Sequence, residues 1–145
     1  MDKQLIDEQW MKEALQLAKQ AADLGEVPIG AVVVCDDKIV GRGFNRRESA
    51  HDPIAHAEIL AIQEASQNLK RWRLTGCTLY VTLEPCPMCA GALVNARVDR
   101  LVYGTTDVKS RLNHEFETCG GVLAEESGGL LKAFFRNLRS LQKNI

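Results

Sequence analysis

Apolar positions recur along this chain with two periods. Trp10, Ala14, Leu17, Ala18 and Ala21 fall at i, i+4, i+7, i+8 and i+11, which predicts an amphipathic helix over 7–24 with Gly25 as its stop. Ile29 to Val34 is a β-branched run, Asp36-Asp37 a turn and Lys38 to Phe44 a second extended run, so a hairpin is expected. Residues 55–69 lack Gly and Pro and carry Ile59, Ile62, Ala65 and Leu69 on one face, the pattern of a second helix. Cys77 to Leu83 reads as a buried strand ended by Glu84-Pro85, and 88–96 as a helix that follows directly. Arg100 to Tyr103 is another strand, and 115–119 a last short one. From Val122 a long helix turns Leu131, Phe134, Phe135 and Leu138 inward. Strands alternating with helices predict a layered α/β fold in which a hairpin leads into parallel strands.

No internal repeat, low-complexity tract or long linker interrupts residues 1–145, so one domain is expected, with a basic helix at about 122–143. Hydrophobic residues make up 46% and charged residues 26%, the balance of a globular protein rather than a disordered tail. The net charge of −1 gives no global sign of a polyanionic partner. The C-terminal segment differs: Lys132, Arg136, Arg139 and Lys143 recur at i, i+4, i+7 and i+11, without an acidic residue from 130 onward. Such a stripe opposite the apolar face suits phosphates, although a solvated helix face has the same look.

Five cysteines stand at 35, 77, 86, 89 and 119. The odd count, the lack of a signal-peptide pattern and the lack of a membrane-length apolar run lead us to expect a cytoplasmic protein with no membrane association. There, close cysteines are metal ligands or redox groups more often than disulfides. Cys35, Cys77 and Cys119 lie in strand patterns and read as small buried hydrophobes. His51 and His114 read as structural hydrogen-bonders.

Two short stretches carry chemistry. Cys86 and Cys89 in Pro85-Cys86-Pro87-Met88-Cys89 sit at i, i+3 where a helix is expected to start, so both sulfurs face one side of its first turn. Unpaired N–H groups and the helix dipole favour thiolates there. In His56-Ala57-Glu58, one imidazole nitrogen supplies a third ligand, and three protein ligands leave a position for water as catalytic zinc sites do. Glu58 is then placed to move protons as a general acid and base. Taken alone, Cys-x-x-Cys also suits a redox pair, and His-Ala-Glu a plain helix surface. Together and in this order they form the signature of zinc deaminases.

The chain resembles the bacterial tRNA-specific adenosine deaminases, of the cytidine/deoxycytidylate deaminase superfamily. The resemblance runs from Trp10 to about Arg139. It is carried by residues 26–32 (Glu-Val-Pro-Ile-Gly-Ala-Val), 43–45 (Gly-Phe-Asn), 51–59 around His56 and Glu58, and above all 82–92 (Thr-Leu-Glu-Pro-Cys-Pro-Met-Cys-Ala-Gly-Ala). Asp107-Val108-Lys109, Leu112-Asn113-His114, residues 121–126 and Phe134-Phe135-Arg136 also match. The resemblance implies a three-layer α/β/α fold with a central mixed five-stranded sheet. It implies one Zn2+ per subunit, a homodimer, and deamination of the wobble adenosine of an arginine tRNA to inosine, with the anticodon stem-loop as partner. It further implies that Asn45 contacts a flipped-out base, that Ala57 offers it a backbone N–H, that Pro28 and Leu83 wall the pocket, and that Asp107 touches a neighbouring ribose.

In one place the chain departs from that pattern. Family members carry roughly a dozen more residues between the Asp-x-Lys and Leu-Asn-His pieces, where Ser110-Arg111 is the only join here. A parallel crossover ordinarily needs about a dozen residues or more, so the expectation is a segment lost at that join, with a break in the chain. Two other functions stay open. A deaminase of a free base or nucleoside would use the same metal and glutamate but would have no use for the basic stripe. A zinc module that only binds a partner would need a fourth ligand, and no residue stands at suitable spacing.

Overall fold

The computed structural model describes residues 2–107 and 117–143, with side chains described as far as Ser140. The chain order is helix α1 (Lys3–Asp23), strands β1 (Gly30–Cys35) and β2 (Lys38–Phe44), helix α2 (Ala57–Leu69), strand β3 (Cys77–Leu83), helix α3 (Pro87–Asn95), strands β4 (Arg100–Thr105) and β5 (Glu117–Cys119), and helix α4 (Ala124–Lys143). Every expected element is present. Helix α1 begins at Lys3, four residues before the expected start at 7, where Asp2 caps it by accepting from the Gln4 N–H at 3.2 Å. That first turn is largely exposed, so no apolar signal marked it.

The sheet order is β2-β1-β3-β4-β5. β1 runs antiparallel to both β2 and β3, and β3, β4 and β5 are parallel, which makes the mixed five-stranded sheet that the resemblance implied. A register shift between Val33 and Val34 leaves Val40 of β2 bulged. The period-2 alternation sorts the core into two layers. Ala31, Val33, Leu79, Val81 and Leu101 meet α2 and α3, while Val32, Val34, Tyr80 and Val102 meet α1 and the start of α4. The parallel pairing of β4 and β5 spans residues 106–116. The Ser110-Arg111 join, the expected break and the first residues of the expected strand 115–119 lie outside the described residues.

Helices α1 and α2 both approach the sheet closely, α1 at Gly30, where a Cβ would overlap the Ala14 carbonyl, and α2 at Gly41 and Gly43. A Cβ on Gly41 would overlap the Ala61 carbonyl, and one on Gly43 the Ala57 carbonyl, so glycine is required on β2 where Ala57, Ala61 and Ala65 line the helix at i, i+4 and i+8. One expectation fails at α4. Leu131 and Phe134 are half-buried, but Phe135 and Leu138 are exposed, at 41% and 40%. The helix has 20 residues, about 30 Å at 1.5 Å each, and it outruns the strand β4 that it packs on. Amphipathicity marked an apolar stripe without saying how far the sheet beneath it reaches.

Candidate active site

The strand directions bring one set of chain ends together. The start of β1, the end of β2 and the ends of β3 and β4 all lie at the same edge of the sheet, as the pairs Gly30 with Phe44, Ala31 with Val81 and Leu83 with Thr105 require. Ligand sites of α/β sheets form at such carboxyl ends. Helices α2 and α3 begin there.

His56 and Cys86 are the N-cap residues of α2 and α3, both with extended backbone (ψ 152° and 171°), and neither side chain caps its own helix. Ser or Asp would ordinarily spend its oxygen on the first-turn N–H groups at this position. Here the side chains are free to converge instead, and Pro87 at the first position of α3 removes one unpaired donor. His56 Nδ1 lies 3.7 Å from Cys86 Sγ and 3.6 Å from Cys89 Sγ, and all three donor atoms fall within 4.8 Å of one another. A tetrahedral ion with bonds of about 2.3 Å to sulfur and 2.0–2.1 Å to nitrogen would separate those atoms by roughly 3.6 Å. The two imidazole–sulfur separations match that spacing, and the identity of the three donors fits such an ion.

Glu58, 4% exposed, sits two residues further along in the first turn of α2. Burial pushes its carboxyl up to about 7, against hydrogen bonds from its own backbone N–H and from the Cys89 thiol. The Cys89 thiol is pushed well up in turn, by burial first and then by Glu58 and Cys86. Three acidic groups crowded in one buried corner repel each other's charges, and a divalent cation removes that conflict. Burial, and then the nearby Arg47, lower His56, which keeps its imidazole neutral as a ligand must be.

Beside these groups is a cavity of about 170 Å³ lined by Val27, Ile29, Asn45, Arg47, His56, Ala57 and Glu58. It is well below the roughly 300–1,000 Å³ of drug-sized pockets and suits one planar base. Asn45 is buried in its wall, donating Nδ2 to the Val27 carbonyl at 3.4 Å and accepting from the Arg47 N–H at 3.2 Å. Ala57 lies in the lining as expected. Pro28 and Leu83 do not: Pro28 is fully buried at the centre of a tight turn, closed by the Ile29 N–H on the Val27 carbonyl at 2.8 Å, and its two neighbours line the cavity instead. Asp107 is half-buried outside the lining, and its N–H donates to Glu84 Oε1 at 3.1 Å.

Val27, Ile29 and Arg47 are site residues that the sequence did not single out. Neither was Glu26, which is 1% exposed and folds the loop between β2 and α2. Its Oε1 accepts from the Glu48 N–H at 3.1 Å and its Oε2 from the Ser49 N–H at 2.6 Å. Burial alone would raise this carboxyl, but those bonds outweigh it and hold it below the ordinary range. The Arg46 N–H closes the neck of the loop on the Ala55 carbonyl at 3.0 Å, so Asn45 and His56 leave it in fixed positions.

Lys132, Arg136 and Arg139 do not line this cavity; they are exposed on α4, beside Leu131 and Phe135 in a shallow cleft. The cationic stripe thus adjoins exposed apolar surface rather than opposing it. Lys143 is helical, and its side chain lies outside the described residues. His51 is exposed, and its N–H donates to the Glu48 carbonyl; His114 is outside the described residues.

Residues 6–139 match the family described as MafB19-like deaminase. The chain belongs to that family. Among relatives of this deaminase, the tRNA-specific adenosine deaminase of Bacillus subtilis (strain 168) is 52% identical over 150 aligned positions, covering 94% of this chain and 93% of that protein. The aligned length exceeds the 145 residues here, so that relative carries residues without a counterpart in this chain. The tRNA-specific adenosine deaminase of Haemophilus influenzae is 44% identical, covering 95% and 88%. A solved structure from work on A-to-I editing by tRNA:A34 deaminases at the wobble position superposes with a TM-score of 0.80 at 40% identity, covering 85% of this chain and 99% of that one. The fold is the cytidine-deaminase-like fold of that structure.

Proposed function

We propose that this deaminase converts the wobble adenosine of a tRNA anticodon, an arginine tRNA in particular, to inosine. The observation that carries this reading is the cluster of His56, Cys86, Cys89 and Glu58 beside a cavity sized for a single base, in a chain 52% identical to a tRNA-specific adenosine deaminase. His56, Cys86 and Cys89 would hold one Zn2+ per subunit. When bound, that ion supplies Lewis acidity beside the cavity.

The chain's own residues do the rest. Val27 and Ile29 provide apolar walls for the base. Asn45 and the Ala57 N–H orient it, the latter being a first-turn donor without an intrahelical partner. The Glu58 carboxylate takes a proton from the attacking water and gives it to the purine ring nitrogen. It then relays the second proton to the departing amine, so that adenosine and water become inosine and ammonia. Pro28 supports the wall from behind, and Leu83 and Asp107 stand at the strand ends where a neighbouring nucleotide would pass.

The stripe of Lys132, Arg136, Arg139 and Lys143 is assigned to the stem phosphates. A homodimer, a cytoplasmic location and a single catalytic domain over 1–145 complete the proposal. Among the described residues no helix is long and apolar enough to cross a membrane.

The test is incubation of the zinc-loaded chain with an anticodon stem-loop, free adenosine and free guanine, followed by product analysis. Inosine in the RNA is expected. Xanthine from guanine with the RNA untouched would instead identify a free-base deaminase. Neutralising Arg136 and Arg139 together should lower the log–log salt slope of RNA binding by roughly 0.7–0.9 for each phosphate that the helix no longer neutralises. An unchanged slope would leave the stripe merely solvated.

A further inference from the structure

At the opposite end of the sheet from the metal donors, Cys35 closes β1 and Cys77 opens β3, and the two are register partners in the antiparallel ladder. The Cys77 N–H donates to the Leu74 carbonyl and its carbonyl accepts from the Asp99 N–H, each at 3.1 Å. Both backbone groups of Cys77 therefore point away from β1, and the pair occupies a non-hydrogen-bonded site. Opposed Cα atoms at such sites approach to about 4.5 Å, closer than in the hydrogen-bonded kind. That separation lies inside the span that disulfides bridge, roughly 4.4–6.8 Å.

Both side chains point to the α2 face, where Cys77 is fully buried and Cys35 half-buried against the same cluster. The Cys77 thiol lies 4.0 Å from the Thr75 carbonyl, and burial, and then the neighbouring Cys35 sulfur, push it up to about 12. Arg71 reaches over from the loop after α2 and places Nη2 4.0 Å from Cys35 Sγ. Cys119 packs on the other face of the sheet, and Cys86 and Cys89 belong to the metal donors, so neither competes for this partner.

We propose that Cys35 and Cys77 are a covalent modification site, a cross-strand dithiol that closes to a disulfide by exchange with a small-molecule disulfide. Cys35, the accessible member, attacks one sulfur of the reagent as thiolate, forming a mixed disulfide and releasing one equivalent of the small thiol. Cys77 then loses its proton and attacks Cys35 Sγ, expelling the second equivalent. Two protein thiols are oxidised, one reagent disulfide is reduced to two thiols, and no other electron acceptor is needed. Cys77 needs no access from solvent, because the atom it attacks is its own cross-strand neighbour.

The zinc-loaded full chain is incubated with oxidised glutathione, its remaining thiols are blocked by alkylation, and it is digested without reductant for mass mapping. The expected product is a peptide containing Cys35 joined to one containing Cys77, in most chains, with zinc content unchanged. In Cys77→Ser, glutathione should remain on Cys35. In Cys35→Ser, Cys77 should be recovered unmodified. Glutathione left on Cys35 of the parent chain, with no link to Cys77, would overturn the proposal. So would recovery of both as free thiols under conditions that fully oxidise a thioredoxin control.

Discussion

Both faces of the sheet seat a helix by alanine on glycine, Ala14 and Ala18 of α1 on Gly30 and the α2 alanines on Gly41 and Gly43. Only the α1 face adds a buried ion pair, and of the two helices only α2 carries candidate active-site residues. On the α2 face, Ala57, Ala61 and Ala65 press the helix onto Gly41 and Gly43 until backbone meets backbone. On the α1 face, Asp7 is held by Arg100 through both carboxylate oxygens, at 2.8 and 2.7 Å, and by the Tyr80 hydroxyl at 2.9 Å. Large side chains fill space but leave rotamers to choose between; an alanine on a glycine leaves none. The helix that carries Glu58, with His56 at its N-cap, is thus seated by packing with little freedom to drift, as a proposed catalytic group needs to be. The other face, among the described residues, carries none of the candidate active-site residues and holds the buried Asp7–Arg100 pair.

The largest effect on turnover should come from Glu58→Ala. Proton transfer groups contribute on the order of 100- to 10,000-fold, and Glu58 serves several transfers, so a loss at the upper end is expected with zinc and fold retained. Activity within tenfold of the parent would assign the proton work elsewhere.

Gly43→Ala tests the seating directly. The new methyl overlaps the Ala57 carbonyl, so the first turn of α2 must move. Overpacking of this kind costs about 1–3 kcal/mol, and displacing a reacting group by 1 Å costs about 100-fold in rate. Both stability and turnover should fall, and a variant that loses stability alone would refute the contrast between the faces.

Asp7→Asn should do the reverse. Removing one partner of a buried pair costs about 3–5 kcal/mol, read as a lowered denaturation midpoint, while the folded fraction should keep its turnover. Burial raises the Asp7 carboxyl, but the Arg100 and Tyr80 bonds outweigh it, and the folded value lies below the ordinary 3.8. Its stabilisation is therefore complete above about pH 4 and lost as pH falls through the folded value. The parent should lose stability across that acid window and the variant should lose less; equal acid sensitivity would place the effect on other carboxylates.

The candidate cluster was legible in the sequence because its pieces are local. Cys86 and Cys89, three apart at a helix start, fall on one side of its first turn, and His56 and Glu58, two apart, stand at a second helix start without sharing a face. Glu26 was illegible for the opposite reason: its partners Glu48 and Ser49 lie more than twenty positions away, and nothing in an isolated glutamate reports a distant loop. Gly41 and Gly43 read as ordinary strand glycines until α2 lay on them. Val27 and Ile29, not Pro28, wall the cavity because the tight turn at Pro28 decides facing, and a motif match carries no facing. The exposure of Phe135 and Leu138 depended on where the sheet ends, which belongs to the assembled layers.

The loop held by Glu26 also bears on how binding is expected to divide its costs. Ordering a residue's backbone takes about 1–2 kcal/mol of conformational entropy. The stretch from Arg46 to Ala55 carries its turns, its closed neck and its carboxylate anchor already in the free protein. A base entering beside Asn45 meets a wall that has little freedom left to surrender. The entropic burden of recognition then falls mainly on the nucleic acid, which must unstack the nucleotide it presents, so an anticodon loop with an already loosened wobble base should be favoured over one stacked into a rigid stem.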